Sequence, residues 1–214
     1  MMKKLIAILM GVGMMAGVAQ ADLLASWVET NLGTVTNEVG TGVVVSDITL
    51  LGDAQNTANA GDTWGMNNLD VNGRGLQFSI VSIADGQWIE NAVISGTVSG
   101  SATGPRQMDW WVNSAAVTGE SIIRDSTTAV GFQNTLGTLN SGDTISLRVD
   151  ADAGTVRSGT DEAVGSGGSF RIRTGGTGGS MELAGDVIPE PTTMGLLGLG
   201  VLALAAMRRR LVNR

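Results

Sequence analysis

Apolar and polar positions alternate through much of the middle of this chain. The clearest run is residues 144–150, where Ile145, Leu147 and Val149 alternate with Ser146 and Arg148. Phe170 and Ile172 alternate with Arg171 and Arg173, and Leu76, Phe78 and Ile80 define another face. Trp88, Ala92, Ile94 and Val98 mark a longer, bulged strand. Shorter strands are expected over 23–28, 43–51, 108–112, 121–124, 129–132 and 181–183. Strict alternation in a strand sends one face to the core and leaves the other in water. No long stretch between the two ends of the chain carries the helical period.

Turn signals separate these runs: Asn72-Gly73, Asp85-Gly86, Thr103-Gly104-Pro105, Ser141-Gly142-Asp143 and a Gly-rich stretch at 165–168. Many short strands with turns between them predict an all-β sandwich or barrel. With no helices to carry parallel crossovers, its strands must pair antiparallel. The run Gly175-Gly176-Thr177-Gly178-Gly179 lacks the Lys and following helix of a phosphate loop and reads as a flexible connection.

The pattern changes at both ends. Lys3 and Lys4 precede an apolar run over 5–18, and Ala19-Gln20-Ala21 has the small-x-small form of a signal-peptidase site. Residues 1–21 are therefore expected to be a signal peptide removed by signal peptidase, with the mature chain starting at Asp22. At the other end Pro189-Glu190-Pro191 leads into Thr192-Thr193 and an apolar stretch over 194–207, closed by Arg208, Arg209 and Arg210. As a helix, residues 192–207 span about 24 Å, short of the roughly 30 Å bilayer core. Snorkelling Arg side chains make up part of the deficit. The Arg cluster predicts a cytoplasmic C-terminus and an exported body.

A Pro-Glu-Pro triplet, a short Gly/Leu helix and a terminal Arg cluster, in that order, resemble the PEP-CTERM sorting signal of Gram-negative bacteria. The resemblance implies an exosortase that recognises Pro189, Glu190 and Pro191 and processes the protein during export. The helix would halt transfer in the inner membrane, with Arg208, Arg209 and Arg210 as the cytoplasmic stop. The protein would then reach the cell surface or extracellular matrix. The order of landmarks in the body also resembles the jelly-roll bodies of many such proteins. The expected organisation is a signal peptide at 1–21, an antiparallel jelly-roll-like β-sandwich at 22–186, and the sorting signal with its transmembrane helix at 187–214.

Composition narrows the chemistry. The chain has 214 residues with 32 Gly and no Cys, His or Tyr. Ser-His-Asp and Cys-His catalysis, thiolate or imidazole metal sites and disulfides are all excluded. Residues 22–186 hold no Lys and seven Arg against nineteen Asp and Glu, a net charge of −12. Phosphate backbones repel such a surface, so nucleic acid is not an expected partner.

What remains is sugar chemistry, calcium or no chemistry. Trp110 and Trp111 are candidate glycan contacts, since an exposed indole stacks on a sugar ring. Adjacent strand residues face opposite ways, so one of the two belongs to the core unless both lie at a sheet end. Trp27 and Trp88 read as core, and Trp64 as an end cover. Asn68-Leu69-Asp70-Val71-Asn72-Gly73 echoes a calcium loop, but Ser79 stands where the bidentate carboxylate belongs, and the Asn-Gly pair reads as a hairpin turn. Asp150, Asp152, Asp161 and Glu162 form a second acidic group. A glycosidase would need two facing carboxylates, for which Glu90 and Asp109 are the first pair to test. The expectation is a non-enzyme without cofactor, associated with exopolysaccharide. A carbohydrate-binding module, with or without structural calcium, is the alternative, and a glycan hydrolase the third reading.

Overall fold

The computed structural model describes residues 21–27, 35–38, 40–57, 63–123, 127–149, 164, 167–173, 181–189 and 208. The strands are β1 (Asp22–Trp27), β2 (Thr36–Asn37), β3 (Val43–Val45), β4 (Thr49–Leu51), β5 (Gln55–Thr57), β6 (Thr63–Asn67) and β7 (Gly75–Ile83). They continue as β8 (Gln87–Gly100), β9 (Gln107–Val112), β10 (Ala115–Ile123), β11 (Val130–Leu139), β12 (Thr144–Arg148), β13 (Phe170–Arg173) and β14 (Met181–Pro189).

They form two sheets in which every pairing is antiparallel. The eight-stranded sheet runs β2-β1-β14-β8-β13-β6-β5, with β11 on the other edge of β8. The six-stranded sheet runs β10-β9-β12-β7-β3, with β4 also on β7. From β7 onward the chain repeatedly crosses between sheets, which makes a jelly-roll-like sandwich. β13 and β14 lie end to end along one edge of β8: Arg173 faces Thr97 and Glu182 faces Ser95.

The core lies between the inner faces. Leu76, Phe78 and Ile80 of β7 and Ile145 and Leu147 of β12 meet Leu24, Trp27, Ile94, Ile172 and Leu183 of the other sheet. Trp27 and Phe78 touch across the sandwich with ring centroids 4.6 Å apart. Trp110 and Phe132 make a second bridge at 6.2 Å. Each such side chain contributes about 1.5–3 kcal/mol by leaving water.

Several elements differ from the sequence expectation. The 43–51 run splits into β3 and β4, because Ser46–Ile48 turns the chain so that both strands can pair along β7. β11 extends well past residue 132, with Gly137 (φ +81°) absorbing a register shift that hides the alternation. Trp64 lies in β6, opposite Ile172, not in a loop. Trp88 is half-buried rather than core: Ile89 takes the inward position, and Asn91 (φ 51°) resets the phase so that Ala92 and Ile94 also point inward. Asn72-Gly73 does not close a hairpin. It carries the chain from β6 in one sheet to β7 in the other, with Gly73 at φ +80°.

The largest difference is at the C-terminal end. The strand expected over 181–183 runs to Pro189, with Val187, Ile188 and Pro189 facing Ile89, Trp88 and Gln87. The boundary placed between residues 186 and 187 therefore falls inside β14. Short polar breaks at Gly185 and Asp186 obscured the continuation, and a register shift there accommodates them. No helix among the described residues is long and apolar enough to cross a membrane. The expected membrane segment at 192–207 and the signal-peptide core at 5–18 lie outside the described residues.

Candidate functional site

The outward face of β9 and β12 carries the most chemistry. Met108 and Trp110 of β9 point into the core and are fully buried, which turns Gln107, Asp109 and Trp111 outward. Ile145 and Leu147 of β12 likewise turn Ser146 and Arg148 outward. Strand register sets these side chains beside one another: Ser146 faces Trp111 and Arg148 faces Asp109, while Ser121 of β10 faces Asp109 from the other side.

The tile is tightly organised. Asp109 Oδ1 accepts hydrogen bonds from Gln107 Nε2 at 2.8 Å and from the Ser121 hydroxyl. Arg148 donates from Nε to Ser146 Oγ at 2.7 Å, and its guanidinium lies 5.2 Å from the Trp111 ring centroid. A cation over an indole at that distance is attracted by the ring quadrupole. Asp109 is only 8% exposed, and its Oδ2 is buried without a hydrogen-bond partner, as is Trp111 Nε1.

Of the two tryptophans proposed from sequence as glycan contacts, Trp110 cannot reach a ligand. Its ring is fully buried, and its Nε1 donates to Asn134 Oδ1 at 3.1 Å. Asn134 Nδ2 in turn donates to Glu120 Oε2 at 2.9 Å. Trp111 lies on the outward face. Glu90 and Asp109 are not brought together: they lie on the outward faces of opposite sheets. Glu90 instead accepts from Trp88 Nε1 at 3.0 Å, as their i, i+2 spacing requires.

The calcium-like loop already holds a cation. Arg74 Nη1 donates to Asn68 O at 3.0 Å and to Asp70 Oδ1 at 2.8 Å, and Nη2 reaches Asp53 Oδ2 at 3.3 Å. The guanidinium takes up the oxygen donors that an ion would need. Among the described residues no group of three or more His, Cys, Asp or Glu is placed to hold a metal. The acidic group at Asp150, Asp152, Asp161 and Glu162 lies outside the described residues.

The two expected processing points share one end of the eight-stranded sheet. Asp22, the expected mature start, opens β1 and faces Gly185 of β14. The two strands are antiparallel, so Ala21 enters the sheet where Pro189 leaves it. Ala21 is exposed. Ala19, Glu190, Pro191, Arg209 and Arg210 lie outside the described residues, and Arg208 is exposed. Residues 187–210 match the family model of the PEP-CTERM protein-sorting motif. The chain carries a PEP-CTERM sorting motif. Its first residues, Val187 to Pro189, are also the last of β14, so the motif begins inside the sandwich.

Comparison with curated proteins finds no match. Among solved structures, the chain is similar to the CBM22-1 xylan-binding domain of Paenibacillus barcinonensis Xyn10C. That likeness has 14% identity and a TM-score of 0.38, and covers 77% of this chain and 94% of that one. A family 35 carbohydrate binding module from Clostridium thermocellum is 14% identical at a TM-score of 0.31, covering 66% and 90%. A CocE/NonD family hydrolase from Staphylococcus aureus is 10% identical at 0.35, covering 79% of this chain but 37% of that one. With scores this low, the fold rests on the strand pairings themselves.

Sequence reading brought forward Trp111 and the PEP-CTERM residues but missed the partnership of Asp109, Arg148, Ser121 and Ser146. Alternation alone placed Ser146 and Arg148 on a wet face. Which strand lies beside β12 is a long-range fact that alternation does not carry.

Proposed function

We propose that this chain is an exported, non-catalytic surface or matrix protein of a Gram-negative bacterium, sorted by an exosortase and associated with exopolysaccharide. The PEP-CTERM motif carries the reading. Signal peptidase removes residues 1–21 by cutting after Ala21. The segment at 192–207 then holds the body at the inner membrane until the exosortase acts at Pro189, Glu190 and Pro191. Because Ala21 and Pro189 share one end of the sheet, both attachments hold that end toward the membrane and the rest of the sandwich away from it. The continuity of Pro189 with β14 means that the sheet end must open for an enzyme to grip the triplet in extended form. A non-catalytic body is supported by the absence of His and Cys and by the separation of Glu90 from Asp109.

The test is fractionation of the native host expressing wild type or a variant with Pro189, Glu190 and Pro191 all replaced by Ala. Wild type should leave the inner membrane without residues 192–207, and the variant should stay there with them. Release of the variant at the wild-type rate would refute recognition of the triplet.

A further inference from the structure

The Asp109, Trp111 and Arg148 tile leaves Asp109 Oδ2, Trp111 Nε1 and the two terminal nitrogens of Arg148 without a hydrogen-bond partner among the described residues. Asp109 and Arg148 face each other across neighbouring strands, yet no ion pair joins them among the described residues. Arg148 uses Nε on Ser146, and among the described residues its two terminal nitrogens make no hydrogen bond. Asp109 uses Oδ1 twice and leaves Oδ2 buried and unpartnered. Trp111 Nε1 beside it is unpartnered as well. A buried orphan acceptor costs about 1–3 kcal/mol, and a charged one more. An ordinary outward sheet face avoids that cost by exposing its polar groups to water. Here an acceptor, a fork of charged donors and an indole N–H lie on one outward face, on the neighbouring strands β9 and β12.

We infer that this tile is a binding site for a neutral polysaccharide. A sugar hydroxyl is both donor and acceptor, and vicinal hydroxyls present the two roles side by side. Once neighbouring side chains shift to uncover the two buried atoms, one donates to Asp109 Oδ2 while its neighbour accepts from the Arg148 fork, and a further sugar oxygen accepts from Trp111 Nε1. An anionic group would satisfy Arg148 but would be repelled by the Asp109 carboxylate and by a body of net charge −12. A cation would satisfy Asp109 but would meet Arg148. Only a ligand that donates and accepts at neighbouring atoms satisfies both. Gln107, Ser121 and Ser146 are positioning residues: they fix one carboxylate oxygen and the guanidinium plane so that the other donors and acceptor stay free. The inference deepens the exopolysaccharide association proposed above and rests on it for the choice of ligand.

Affinity electrophoresis of the full chain in detergent tests it, with xylan, laminarin, galactomannan or polygalacturonate cast in the gel. At least one neutral polymer should retard wild type. Asp109→Asn and Arg148→Met should each weaken that retardation at least tenfold, while Trp111→Phe, which keeps a ring and loses the N–H, should weaken it less. Thermal melts of each variant separate lost binding from lost folding. Retardation by no neutral polymer, by polygalacturonate alone, or unchanged in Asp109→Asn and Arg148→Met overturns the inference. The same variants should still be processed in the host. Binding that survives in a chain the host never processes would instead count against the sorting proposal.

Discussion

Cross-linking the end of β14 to β8 should block processing of the PEP-CTERM motif. Trp88 and Ile188 face each other, one residue before Pro189. Facing Cα atoms in an antiparallel pair lie about 4.5–5.5 Å apart, inside the roughly 4.4–6.8 Å that a disulfide spans. The chain has no native Cys, so a Trp88→Cys/Ile188→Cys variant forms a single defined bond. Opening the wild-type end breaks the pairs at 187, 188 and 189. At about 1 kcal/mol per hydrogen bond this costs about 3 kcal/mol, leaving roughly one molecule in a hundred open. The bond closes a loop of about 100 residues and adds about 4–5 kcal/mol of stability, holding the strand against β8 as far as Ile188. Oxidised variant in host membranes should lose its C-terminal segment at least tenfold more slowly than reduced variant, by immunoblot against the body, and reductant should restore the rate. A Val93→Cys/Ala184→Cys pair joins the same strands before the register shift, leaves the pairs at 187, 188 and 189 free to open and closes a loop of similar length, so it should leave processing unchanged. Equal processing of the oxidised and reduced Trp88/Ile188 pair would show that the enzyme does not need the strand end to open.

Four further outcomes follow from the packing. A Cβ at Gly75 would lie 1.9 Å from the Leu147 carbonyl oxygen, backbone against backbone, so Gly75→Ala should cost at least about 3 kcal/mol and lower the melting temperature by more than about 8 °C. Arg74→Met should cost about 0.5–1.5 kcal/mol by removing its hydrogen bonds to Asp70 and the Asn68 carbonyl, read by urea denaturation. Because Arg74 already occupies that loop, chelator should leave the wild-type melting temperature within about 1 °C. Asn134→Leu should cost about 1–3 kcal/mol, since it leaves the buried Trp110 N–H without its acceptor.

The class of the fold was legible because alternation is local. Residues 144–148 and 170–173 became β12 and β13 almost as drawn, since each packs one apolar face against a single core. Legibility failed where a strand changes phase. Asn91 and Gly137 each insert a residue at positive φ, so Trp88 appeared inward and most of β11 disappeared. β14 was cut short for the same reason at Gly185 and Asp186, where the chain has a small residue and a charge instead of an apolar step. That break made the sorting motif look detached from the body. In the candidate site, Trp111 stood out by type, but Asp109 and Arg148 are neighbours only because β9 lies beside β12. The calcium-like loop is a different case: its oxygens are visible in the sequence, but that Arg74, one residue after the motif, turns back to bond two of them is a fact of the fold.

Intact mass measurement of the mature protein from its native host tests whether this is an exported protein cut on both sides of its sandwich, at one end of one sheet. An N-terminus at Asp22 and a C-terminus at or near the Pro189-Glu190-Pro191 triplet are expected, with residues 192–214 gone and any glycan appearing as added mass. A mature species that retains residues 194–210 would contradict it, as would one that keeps residues 1–21.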